Sequence, residues 1–106
     1  MELKKVIENV KIIESIIVEN GEVSSICIDS RKVERGSLFI AIKGIDNDGH
    51  KYISKAIELG AGTIIYDDPS YKGVITSDRV SHILVENSRT AAAIIADNYY
   101  DHPSSK

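Results

Sequence analysis

Residues 37–66 read SLFIAIKGIDNDGHKYISKAIELGAGTIIY, and this stretch decides the fold. Residues 37–42 form a nearly unbroken apolar run, which suits a strand covered on both faces of a sheet. Gly44 ends that strand, and a largely polar loop, Ile45 to Gly49, follows. The spacing predicts a helix over 49–59. Asp48 is placed to accept the free backbone N–H groups of its first turn. Tyr52, Ala56 and Leu59 line one side, Ile53 and Ile57 extend it, and Gly60 supplies the stop. Residues 62–66 then predict another strand. Strand, helix and strand in this order make a βαβ unit with a right-handed crossover.

The flanking sequence adds to that unit on both sides. Upstream, Leu3, Val6, Ile7 and Val10 show helical spacing over residues 2–10. Residues 11–18 are open to reading as a strand or as an irregular edge segment. Asn20-Gly21 signals a turn, residues 24–29 predict a strand, and Arg35-Gly36 marks the turn before residue 37. Downstream, Asp67-Asp68-Pro69 breaks the strand, and Val74 with Ile75 suggests a short edge strand. Residues 82–86 predict a further strand. Ser88 is expected to cap a helix over 89–100 that buries Ala92, Ile95, Ala96 and Tyr99. The result is an α/β fold, a three-layer sandwich with a mixed sheet of about five strands. Ligands on such sheets sit at the carboxyl ends of the strands. The loops after Asp29 and Ile42 both leave those ends.

With 106 residues, 42% of them hydrophobic and 27% charged, the chain fits one folded domain. The net charge of -3 lacks the basic excess that nucleic-acid binding requires. Cys27 is the only cysteine, which excludes an internal disulfide or a thiolate zinc cluster and fits a small core residue. No signal peptide or membrane-spanning run is evident, so the cytoplasm is the expected compartment; a monomer is the expected state of this piece of chain. No phosphate loop ending in Gly-Lys-Ser/Thr, no Gly-x-Gly-x-x-Gly after a strand and no nucleophile elbow is present. No catalytic or metal-ligating residue is therefore assigned.

What the sequence does contain is an ordered set of loop residues. Asp29-Ser30-Arg31-x-Val33 is followed by Gly36-x-Leu38-Phe39-x-Ala41, then by Gly44, Asp48-Gly49-His50, Ala56 and Gly60-Ala61. This pattern resembles the N-terminal domain of the Mur ligases, most closely the MurE type, which adds the third residue to UDP-MurNAc-L-Ala-D-Glu. The MurF type carries a similar pattern and is the nearest rival. The resemblance covers about residues 23–103.

The resemblance implies a domain over residues 1–103 that anchors the uridine end of UDP-MurNAc-dipeptide, with 104–106 beginning a linker. It implies that ATP and Mg2+ belong to a central domain that follows, so that this chain is a piece of a longer amide-forming ligase with no cofactor of its own. It places Ile28 and Ser30, and a second loop of Ile45, Asp46 and Asn47, against the uridine. A uracil offers two carbonyl acceptors and one N–H donor on a flat ring. A serine hydroxyl and backbone groups can pair with its edges while an aliphatic side chain covers its face. Arg31 and Lys43 are candidates for the diphosphate, with Asp46 and Asp48 opposing.

Each of these residues also has a plain structural reading. Ser30 could cap a turn, and Asp29 with Arg31 could form a local ion pair. Gly36, Gly44 and Gly49 read as backbone devices, and His50, without a nucleophile beside it, as a hydrogen-bonded structural residue. Tyr99 and Tyr100 are expected to divide between core and surface. A second hypothesis is a non-enzymatic α/β regulatory or interaction module, with Asp67-Asp68 as an acidic pair of the phospho-receiver kind.

Overall fold

The computed structural model describes residues 2–18, 22–44, 47–76 and 79–100. The Asn20-Gly21 turn, Ile45, Asp46 and the linker expected at 104–106 lie outside the described residues. The elements are α1 (Leu3–Val6), β1 (Ile12–Ile16), β2 (Ser25–Cys27), β3 (Ser37–Ile40), α2 (Ile53–Glu58), β4 (Thr63–Tyr66), β5 (Ser81–Val85) and α3 (Ser88–Tyr100). Short 3-10 helices occupy Ser30–Lys32, Gly49–Tyr52 and Pro69–Val74. The five strands form one sheet in the order β1-β5-β4-β3-β2. β2, β3, β4 and β5 run parallel, and β1 pairs antiparallel with β5, so the sheet is mixed as expected.

The apolar runs are continuous because successive side chains enter two different cores. Leu38, Ile40, Ile65, Ile83 and Val85 point to one face and pack with α1 and α3 through Leu3, Val6 and Ile95. Phe39, Ala41, Ile64, Tyr66 and Leu84 point to the other face and pack with Ile53 and Ala56 of α2. Helices therefore cover both faces, giving three layers. Each large side chain removed from water in this way stabilises by roughly 1.5–3 kcal/mol.

Several local expectations are corrected. Residues 69–74 are a 3-10 helix rather than an edge strand. Asp68 caps it by accepting the Ser70 N–H, and Pro69 at the first position has the fixed φ that starts a helical turn. The α2 stripe that reaches the core is Ile53 and Ala56, whereas Tyr52 and Leu59 are exposed. The cap of α3 is Asn87, whose Oδ1 accepts the Thr90 N–H at 3.0 Å. The Ser88 hydroxyl is buried and has no hydrogen-bond partner among the described residues. On α3 the fully buried side chains include Ala91 and Ile95, while Ala92, Ala96 and Tyr99 are half-buried. Tyr99 stays close to the fold by donating to the Ser24 carbonyl at 2.8 Å, and Tyr100 is exposed. Cys27 is half-buried on the edge strand β2 rather than deep in the core.

Residues 12–16 resolve to an edge strand with an irregular register between Ile12 and Glu14. All of its side chains are exposed, and Glu14 pairs with Lys72 at 2.8 Å. An irregular register and a charge are two of the features that keep an edge from pairing with other chains. Among the described residues no helix is long and apolar enough to cross a membrane.

Two glycines meet where the turn before β3 packs against the turn after α2. Gly36 and Gly60 have φ of 84° and 113°, a region that other residues enter at a cost. They meet through a 2.8 Å bond from the Gly36 N–H to the Gly60 carbonyl. A Cβ on Gly60 would lie 2.9 Å from the Arg35 Cα.

Candidate functional site

All four parallel strands point their carboxyl ends to one edge of the sheet, and the chain opens a hollow of about 660 Å³ there. The loop after β2 supplies Ile28, Ser30 and Arg31 to its lining, the segment after β3 supplies Asn47 and Tyr52, and the first turn of α3 supplies Arg89. The two turns named by the sequence thus meet at one site. Ile28 is 61% exposed, an unusual position for an isoleucine and an apolar surface available to a flat ring. Tyr52, 41% exposed, offers an aromatic face on the same lining. Ser30 is almost buried.

The β2 loop owes its shape to Asp29, not to Ser30. The Asp29 carboxylate accepts the Arg31 N–H at 2.9 Å and so caps the 3-10 helix Ser30–Lys32. The same carboxylate receives the Arg31 guanidinium through Nε at 3.0 Å and Nη2 at 2.9 Å. That two-pronged contact, together with the backbone bond, lowers the Asp29 pKa from 3.8 to about 2. Arg31 lines the hollow with its charge already engaged by a carboxylate. Lys43 is absent from the lining. Its backbone bridges to Asp48 and its side chain is exposed.

The turn after β3 is held by backbone bonds. The Gly44 N–H donates to the Asn47 carbonyl at 2.7 Å and the Gly49 N–H to the Ile42 carbonyl at 2.8 Å. A Cβ on Gly49 would come within 2.8 Å of the Ile42 nitrogen, so glycine is required for this close approach. Asp48 caps the following 3-10 helix by accepting the His50 N–H at 3.0 Å.

His50 joins the loops of this edge. Its ring is 1% exposed, and Nδ1 lies 2.8 Å from Asp48 Oδ1. Nε2 accepts the backbone N–H groups of Asp67 at 3.2 Å and Asp68 at 3.3 Å. With Nε2 accepting these bonds, Nδ1 is left to donate to Asp48. Burial pushes the Asp48 carboxyl up, but the bonds from the His50 backbone and ring outweigh it and hold the group below its ordinary value. Asp67 carries the connection to α3, because its Oδ2 accepts the Ser88 N–H at 2.9 Å. His50 is thus a positioning residue. Both acids of the Asp67-Asp68 pair are occupied, one by Ser88 and the other by Ser70. Among the described residues no group of three His, Cys, Asp or Glu could hold a metal ion.

The lining adds Tyr52 and Arg89 to the residues expected from sequence. The spacing places Tyr52 only on one side of its helix, with Ala56 and Leu59. Arg89 lies far along the chain from the loop motifs. The available signal was topological: α3 starts just after the carboxyl end of β5, so its first turn belongs to the same edge of the sheet.

Residues 22–100 match the Mur ligase family, catalytic domain. The chain belongs to the Mur ligase family. Among its relatives, the UDP-N-acetylmuramoyl-L-alanyl-D-glutamate–2,6-diaminopimelate ligase of Clostridioides difficile is 42% identical over 107 residues, covering 100% of this chain and 21% of that protein. The enzyme of the same name from Cytophaga hutchinsonii is 40% identical over 107 residues, with the same coverage. Among solved structures, the MurF ligase of Thermotoga maritima in complex with ADP superposes with a TM-score of 0.58 at 32% identity, over 74% of this chain and 17% of that one. A MurF of Acinetobacter baumannii gives 0.57 at 26% identity, over 68% and 15%. This Mur ligase chain therefore spans about a fifth of the length of the curated relatives it matches.

Proposed function

We propose that this chain is the N-terminal, substrate-binding domain of a UDP-MurNAc-tripeptide synthetase of the MurE type. In this role residues 1–103 form the domain, and 104–106 begin the linker to a central domain that binds ATP and Mg2+. The observation that carries the reading is the meeting of the Ser30 and Asn47 turns around one hollow. Uracil stacks against Ile28 and Tyr52, and Ser30 and Asn47 pair with its polar edges. Ile45 and Asp46, which precede Asn47 in the sequence, are assigned to the same ligand by the family resemblance alone.

The domain's work is orientation. In the full ligase the muramoyl-peptide carboxylate is activated by ATP and attacked by an amino acid. A uridine held in a fixed hollow presents that distant carboxylate in one position, which removes part of the entropy cost of the encounter. The full-length relatives at 40% and 42% identity favour the MurE type over the MurF type, whose solved relatives reach 26% and 32%.

Titration calorimetry of the chain with UDP-MurNAc-L-Ala-D-Glu tests the proposal. Saturable binding is expected, weak because other domains supply part of the site, with a Kd up to about 1 mM, or about -4 kcal/mol. Absence of binding at several times that concentration would contradict it.

A further inference from the structure

Two arginines line the hollow, and they differ in the partner each one has. Arg31 is clamped on Asp29 by two side-chain bonds. Arg89 is exposed, lines the same hollow, and has no carboxylate partner among the described residues. A guanidinium already paired with a carboxylate has lost most of its pull on a second anion. An unpaired one keeps both its charge and its fork of donors, which matches phosphate oxygens two at a time. Lys43, the other candidate cation, does not face the hollow.

We propose that Arg89 is the residue by which this domain grips the diphosphate, and so the residue that makes it prefer a uridine diphosphate-linked ligand to the uncharged nucleoside. The inference rests on the reading of the hollow as the uridine site. Asp29 sharpens the assignment: by holding Arg31 it leaves Arg89 as the unpaired guanidinium of the lining. The α3 first turn that carries Arg89 is tied to the sheet edge through Ser88 and Asp67, and Asp67 in turn donates its backbone N–H to His50. The anion contact is therefore set by the same bonds that shape the hollow.

The test is a paired titration of the chain with UDP and with uridine, read by amide NMR shifts, on the unchanged sequence and on Arg89→Met, Arg89→Lys and Arg31→Met. Arg89→Met is expected to weaken UDP about tenfold or more while leaving uridine unchanged, since a charged hydrogen bond is lost. Arg89→Lys should recover part of the loss, and Arg31→Met should cost UDP less than Arg89→Met. Arg89 is exposed, so these variants should keep the parent amide spectrum. If Arg89→Met leaves the UDP-to-uridine ratio unchanged while both ligands still shift the residues of the hollow, the role of Arg89 is overturned and the uridine site stands. If neither ligand shifts those residues in the unchanged chain, the uridine site falls and Arg89 with it.

Discussion

The buried ring of His50 stands 2.8 Å from the carboxylate of Asp48, and that contact fixes which way the rest of the ring faces. With Nδ1 committed to Asp48, Nε2 turns to the backbone N–H groups of Asp67 and Asp68. One side chain thereby joins the loop after β3 to the end of β4, and through Asp67 to the start of α3.

Removing that ring should cost more than its size suggests. His50→Ala opens a cavity and strands two backbone donors, a loss of roughly 2–4 kcal/mol. His50→Gln can place an acceptor near the former Nε2 and should recover part of it. Urea unfolding measures both, and hydrogen exchange at Asp67 and Asp68 should accelerate in the alanine variant. Equal stability of the alanine variant and the parent would remove His50 from its positioning role.

Acid should loosen the β2 loop late. The Asp29 pKa falls from 3.8 to about 2 on folding, because Arg31 favours the charged carboxylate. A group depressed in this way contributes stability above its unfolded value, and that contribution is lost as the pH drops through its folded value. The loss should fall between about pH 3.8 and 2. Carboxyl carbon NMR shifts should place the Asp29 midpoint near the lower figure, and Arg31→Met should move it upward. A midpoint that ignores the substitution would show that the ion pair does not form in solution.

Gly49 should resist any side chain. A Cβ there would stand 2.8 Å from the nitrogen and 2.9 Å from the oxygen of Ile42, both rigid backbone atoms. Gly49→Ala is expected to cost roughly 1–3 kcal/mol through overpacking. It should also displace the turn that carries Asn47, weakening uridine more than Arg89→Met does. A urea melt and a uridine titration report the two effects separately.

Much of the fold was legible because residues 37–66 leave few alternatives. Leu38-Phe39-Ile40 and Ile64-Ile65-Tyr66 are apolar at every position, and only a sheet covered on both faces buries all of them. Residues 69–75 were less legible, because Val74 and Ile75 have strand-like side chains while the Asp68-Pro69 start dictates a 3-10 helix; backbone capping outweighed side-chain preference. Ser88 and Asn87 are both good caps, and nothing in their order says which one faces the Thr90 N–H. At the site, the family resemblance could name Ile28, Ser30 and Asn47, because they are contiguous with the loop motifs. Tyr52 and Arg89 could not be named in this way, because their part in the lining depends on where the helices settle. The competition between Arg31 and Lys43 for an anion was also undecided in sequence, since it turns on the geometry of Asp29.

The central claim is that a uracil ring occupies the hollow between the Ser30 and Asn47 turns. The most direct measurement is of intermolecular nuclear Overhauser effects from the uracil H5 and H6 protons of bound UDP-MurNAc-L-Ala-D-Glu. Cross-peaks to the Ile28 methyls, the Ser30 β-protons and the Tyr52 ring are the predicted result. Cross-peaks confined to the smaller cavity lined by Asn9, Val10 and Ile94 would contradict the account.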